Sequence, residues 1–328
     1  MVIGIVAAIL VSPASSFAQN KGVYGDDDRE DFFAAPRGMQ ALSASVVSLW
    51  KADSLEMSGA GDVKLHTMNF GEQFNLCPNE RFREQPIGAF CSGALVGEDL
   101  VITAGHCIKS RDDCANTRIV FGYAVKKEGR AAATRLPAGE VYGCAKILRR
   151  SSGVGRGYSA GEVTGPDFAV IRLDRKVAGH KPLAVNRGAE ISKGAPIFVI
   201  GHPVGLPLKV AGGASVRGFG AGGYFITDLD TFGGNSGSPV FNARTGLIEG
   251  VIARGDRDFV TSPAGCTATV YSQGGGGEAV TKIAMFSDFI PEADGQDAVA
   301  APGKAVNVDS GSIQPGADAA YPKTVSFD

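Results

Sequence analysis

Leu100-Val101-Ile102-Thr103-Ala104-Gly105-His106-Cys107 joins a short apolar run to a histidine. Large and β-branched residues stopped by small ones predict a buried strand, with the imidazole at its end, held yet reachable. Outward from it, runs of the same kind recur at residues 45–50, 94–103, 118–125, 168–173, 196–200, 224–229 and 246–253. They are rich in Val, Ile and Phe and are separated by Gly, Pro, Asn and Asp, which predicts an all-β architecture of barrels or sandwiches. The 46 glycines among 328 residues suit many turns better than long helices.

The ends read differently. Residues 1–18 run apolar from Met1 to Val11 and then through small residues to Ala18, the pattern of a secretory signal, although no Lys or Arg precedes the run. Residues 19–42 hold Asp26-Asp27-Asp28-Arg29-Glu30-Asp31, read as a solvated charge run or as a propeptide. The β-rich body spans 43–290, dividing near 185, and residues 291–328 are too poor in large apolar side chains to order themselves. A formal charge of −2 implies neither a basic nucleic-acid surface nor a strongly acidic one and indicates no particular partner. Six cysteines in an exported chain read as disulfides. Zinc is the competing reading, and the lack of a CxxC pair argues against it.

Cleaving an amide through a serine needs a nucleophile, a base, an acid that orients the base, and donors for the oxyanion. Ser236 lies in Gly233-Gly234-Asn235-Ser236-Gly237-Ser238-Pro239-Val240, where glycines allow a sharp turn that aims the N–H groups of Gly234 and Ser236 at one point. His106 is the candidate base. Asp167, heading Phe168-Ala169-Val170-Ile171-Arg172-Leu173, is an acid placed to reach an imidazole on a neighbouring strand.

Together Cys91-Ser92-Gly93-Ala94-Leu95-Val96, the His106 and Asp167 segments and the Ser236 segment closely resemble the chymotrypsin-like (trypsin-fold) serine peptidases, in the same His, Asp, Ser order. The resemblance covers about residues 43–290 and is nearest in style to bacterial glutamyl-endopeptidase and HtrA-type members. It implies two packed six-stranded antiparallel barrels, a catalytic triad of His106, Asp167 and Ser236 in the cleft between them, and an oxyanion hole from Gly234 and Ser236. It also implies a Cys91–Cys107 bridge around the histidine, while Cys77, Cys114, Cys144 and Cys266 admit three pairings. Asp230, six residues before the nucleophile, takes the place of a pocket-floor acid, which implies a preference for Lys or Arg at P1, the substrate residue on the acyl side of the cut. Thr231, Ala253 and Gly255 fall on the pocket wall and on the strand that pairs with substrate. Glutamyl endopeptidases usually place a His where this chain has Ile252. Asn235 replaces the acid that in animal trypsins pairs with a newly cut N-terminus. His202, in Gly201-His202-Pro203-Val204-Gly205, reads as structural. No metal or cofactor is expected. The expected partners are polypeptide substrates met by a secreted or periplasmic monomer, with no nucleic acid and no membrane once the signal is removed.

Two other classes compete. Gly157-Tyr158-Ser159-Ala160-Gly161, followed by Asp167 and His180, matches the elbow of an α/β-hydrolase, but it sits in a Gly/Ser-rich stretch rather than between a strand and a helix. A barrel that only binds a partner is the other, and such proteins generally lack a triad residue.

Overall fold

The computed structural model describes residues 22–58, 61–153, 165–255, 257–272 and 276–292. The expected signal, the tail beyond 292 and Ser159 lie outside the described residues.

Two short strands, β1 (Val23–Tyr24) and β2 (Arg29–Asp31), lead into helix α1 (Arg37–Ser43). The first barrel uses β3 (Val46–Lys51), β4 (Cys91–Leu95), β5 (Leu100–Thr103), β6 (Thr117–Val120), β7 (Val141–Ser152) and β8 (Asp167–Leu173). Their order around the closed ring is β6-β7-β8-β5-β4-β3. The second barrel uses β9 (Pro196–Gly201), β10 (Lys209–Gly220), β11 (Tyr224–Thr227), β12 (Pro239–Asn242), β13 (Ile248–Arg254) and β14 (Glu278–Lys282). Its order is β9-β12-β13-β14-β11-β10, closed by the β9–β10 pairing. All strand pairs in both rings are antiparallel.

The strands facing the junction are apolar on both faces. In β8, Ala169 and Ile171 fill the first barrel while Phe168 and Val170 point out into a second core. In β9, Ile197 and Val199 fill the second barrel while Phe198 and Ile200 meet that same outer core. Side-chain direction alternates with period two, so a strand with a core on each side must be apolar throughout. The shared core therefore fastens the barrels together along the line where the site lies.

The segment before residue 43 is not a solvated charge run. Met39 and Leu42 of α1 enter the core between the barrels. β2 extends the second barrel by pairing with β10, Arg29 facing Ala211 and Asp31 facing Lys209. β1 runs parallel to Tyr271–Ser272. The packed body thus starts near residue 22 rather than 43, because Asp27 and Asp31 are matched by buried cations, while Asp26 and Asp28 stay exposed. Lys209 Nζ lies 2.7 Å from Asp31 Oδ1, and Arg29 Nη2 lies 2.7 Å from Asp27 Oδ2.

Candidate active site

The histidine is positioned by a close crossing of backbones. A Cβ on Gly105 would lie 1.8 Å from the Ser151 carbonyl oxygen, so only glycine lets β7 pass over the end of β5. His106 follows directly. Asp167 heads β8, the neighbour of β5, and both its oxygens face the histidine: the His106 N–H donates to Oδ1 at 3.1 Å, and Nδ1 lies 2.9 Å from Oδ2. Thr281 on β14 fixes the acid's backbone, its Oγ1 accepting from Asp167 N at 3.0 Å and donating to Asp167 O at 2.9 Å. A carboxylate only accepts, so Nδ1 carries the proton and Nε2 presents a lone pair. Asp167 is buried, whereas the His106 side chain is 38% exposed, so its free nitrogen is reachable. Arg254 places Nη2 3.7 Å from Asp167 Oδ2 and donates to Gly153 O at 3.0 Å.

Ser236 lies on a turn of the second barrel that abuts the first beside Cys107, the residue after the histidine. Its carbonyl accepts from Ser92 N at 2.9 Å and lies 3.7 Å from Cys107 Sγ. Gly237, at φ +85°, packs where a Cβ would meet Thr103 Oγ1 at 2.2 Å, and Gly234, at φ +93°, packs against His202 O. Both positions need glycine on two counts, the left-handed backbone and the lack of room. Among the described residues, the backbone N–H groups of Gly233, Asn235, Gly237 and Ser238 donate to Asp258 Oδ2, Phe232 O, Ile252 O and Asn235 O, leaving those of Gly234 and Ser236 uncommitted. Ser236 Oγ makes no hydrogen bond among the described residues, a common state for a nucleophile whose contacts tighten only around substrate.

Ser92 is the organiser that the sequence did not single out. Its N–H holds Ser236, its Oγ donates to Gly234 O at 2.8 Å, and the same Oγ accepts from His202 N at 2.9 Å. Its only sequence signal is its place after Cys91. His202 is structural: it is buried, its Nδ1 bonds Leu206 O at 3.0 Å, and burial pushes its pKa down to about 3. Asn235 turns inward, where its Oδ1 accepts from Ser238 Oγ at 3.1 Å.

The pocket residues need correction. Asp230 does not present its acid to an open pocket: Oδ1 accepts from Tyr24 N at 2.7 Å and Oδ2 from Asp28 N at 2.9 Å. Burial pushes its pKa up to about 7, the two amides pull it down, and Asp27 and Asp28 add to the rise. Thr231 is buried and donates to Glu278 Oε2. Ala253 and Gly255 lie at the end of β13 and just past it. His180 is stacked on Phe121 and lies 2.8 Å from Glu140 Oε2, while Asp167 is engaged by His106, so the elbow around Ser159 has neither partner available.

Disulfides join Cys91 to Cys107, Cys114 to Cys144 and Cys77 to Cys266. The Cys91 and Cys107 sulfurs lie near the imidazole but are bonded to each other, which leaves no thiolate for a metal.

Two six-stranded antiparallel barrels in these strand orders, with an acid-ordered histidine on the first, define a chymotrypsin-type fold. Residues 91–251 match the model of the trypsin-like peptidase domain family. Among curated proteins it is 27% identical over 173 residues to glutamyl endopeptidase of Staphylococcus aureus strain MRSA252, covering 50% of this chain and 43% of the relative. The match to glutamyl endopeptidase of strain MW2 is also 27% identical, covering 50% and 47%. The chain thus spans less than half the length of the curated relatives it matches. Solved structures with a related shape include the Vibrio cholerae VesB protease (TM-score 0.45, 16% identity, 80% of this chain and 65% of that one). Human heparin binding protein is similar at TM-score 0.45 and 15% identity, over 80% and 94%.

Proposed function

We propose that the chain is a serine endopeptidase with His106, Asp167 and Ser236 as its triad. Nε2 of His106 takes the proton from Ser236 Oγ as that oxygen attacks the substrate carbonyl. The N–H groups of Gly234 and Ser236 stabilise the oxyanion, His106 returns the proton to the leaving amine, and water repeats the sequence on the acyl-enzyme. The observation that carries this reading is the pair of uncommitted amides at Gly234 and Ser236 in a turn whose other N–H groups are all engaged. A pure binding module would have no use for them. Ser236→Ala is expected to lower kcat by at least about 10⁴-fold. Loss of active-site labelling by a fluorophosphonate should accompany it, and an active, still-labelled variant would overturn the reading.

A preference for Lys or Arg at P1 cannot rest on Asp230, whose oxygens are taken by Tyr24 and Asp28. Ile252 offers a P1 acid no imidazole, while the matched relatives are glutamyl endopeptidases. A peptide panel with Arg, Lys, Glu and Phe at P1 decides between them: fastest cleavage after Arg or Lys keeps the basic preference, and fastest cleavage after Glu rejects it. The signal-like residues 1–18 and the three disulfides support export to the periplasm or beyond the cell.

A further inference from the structure

The turn that carries Ser236 has little to hold it from within. It contains Gly233, Gly234 and Gly237, no disulfide, and two residues in the left-handed region. Fixing one residue's backbone costs about 1–2 kcal/mol, more for glycine, so such a turn needs anchors outside itself. Asn235 carries no charge and is used within the turn, so no ion pair to a chain terminus anchors it there.

The anchors come from residues 22–31. The amides of Tyr24 and Asp28 close on the two oxygens of Asp230. Arg29 is buried with its guanidinium 4.0 Å over the ring of Phe232, four residues before Ser236. Asp27 holds that guanidinium in a fork, through Nε at 2.8 Å and Nη2 at 2.7 Å, and Arg81 grips the same segment by donating to Asp27 O and Arg29 O. Asp258, which receives Gly233 N–H, also accepts on its backbone from Val270, the residue whose carbonyl receives Val23 N–H. Residues 230 and 232 are therefore fixed directly by this segment, and residue 233 by a neighbour two hydrogen bonds away from it. A buried Arg with a bidentate acid and an aromatic face cannot be replaced by solvent without leaving its partners unsatisfied.

We propose that residues 22–31 form an activating strap on the nucleophile turn, with Arg29 and Asp230 as its positioning residues. The inference rests on the serine-peptidase reading of Ser236. It reverses what a removable acidic propeptide would do: a cut inside the strap lowers activity, because the turn loses its frame while both barrels persist.

The test uses the full chain and three measurements: fluorophosphonate labelling rate of Ser236, kcat and KM on a peptide substrate, and the thermal midpoint. Arg29→Ala and Asp230→Ala should slow labelling and lower kcat at least tenfold well below their midpoints, with Arg29→Lys recovering part of the loss. Asp26→Asn, exposed in the same segment, should stay within twofold. If Arg29→Ala does not fold, Phe232→Leu removes the stacking alone and should still slow labelling several-fold. Folded variants that label at the wild-type rate overturn the strap, and faster ones show an inhibitory segment instead. A wild-type chain that the probe does not label would fail the serine-peptidase reading itself, which keeps the two failures apart.

Discussion

The two halves of the site are held by different means. His106 and Asp167 stand on the first barrel, where a disulfide brackets the histidine and a second one, Cys114–Cys144, joins the short helix Arg111–Ala115 to the ring's longest strand. Ser236 stands on a turn of the second barrel that is held by hydrogen bonds, by Ser92 reaching across from the first barrel, and by a segment from the start of the described chain. The proposed base is thus covalently framed, while the proposed nucleophile is framed by noncovalent contacts drawn from far along the chain. Such contacts open at a lower free-energy cost than a covalent link, so the second half is where conditions and substitutions tune the site.

Breaking the covalent frame has the largest expected effect on stability. The Cys91→Ala, Cys107→Ala pair opens a loop of 16 residues. Loss of about 3 kcal/mol is expected for a loop of that order, read as a lower urea midpoint, together with a fall in kcat as His106 loosens. An unchanged midpoint would place the frame elsewhere.

The noncovalent half is tested by pH. The pKa of Asp230 is raised from 3.8 to about 7, chiefly by burial, so between those values the folded chain keeps a proton that the unfolded chain has released. Stability therefore falls as pH rises from about 4 to about 7 and is flat above, by on the order of a few kcal/mol. Asp28 and Glu30, raised mainly by burial, act in the same direction. Urea midpoints at about pH 5 and about pH 8 should differ in that sense, and Asp230→Asn should flatten the slope. A slope unaffected by Asp230→Asn would assign it to other groups. The smallest effect belongs to Ser159→Ala, which should leave kcat/KM unchanged; a large loss would revive the rival elbow.

What the sequence revealed follows from the same division. The runs at residues 168–173 and 196–200 were legible because a strand with a core on both faces must be apolar throughout, and β8 and β9 are such strands. Val141–Ser152 and Lys209–Gly220 escaped because bulges break their alternation and their outer halves are polar or glycine-rich. The positions proposed for the triad were readable because glycine and strand-end requirements act locally, on Gly105, Gly234 and Gly237. The strap was not. Nothing local tells a solvated acid from Asp27, whose burial opposes ionisation and whose Arg29 and Arg81 neighbours outweigh that, lowering its pKa. Asp230 was found by counting back from the nucleophile, but its partners lie about two hundred residues earlier, beyond any pattern in the chain. The pairings of Cys77, Cys114, Cys144 and Cys266 were open for the same reason.

The Cys77–Cys266 bond spans 189 residues and encloses every strand from β4 to β13. Any peptide bond between the two cysteines therefore lies inside a covalent ring. A cut there, by another copy of this chain or by any other peptidase, yields two pieces that remain one molecule until the disulfide is reduced. A nick in that stretch changes connectivity without releasing either barrel, and the barrels meet again through the core they share.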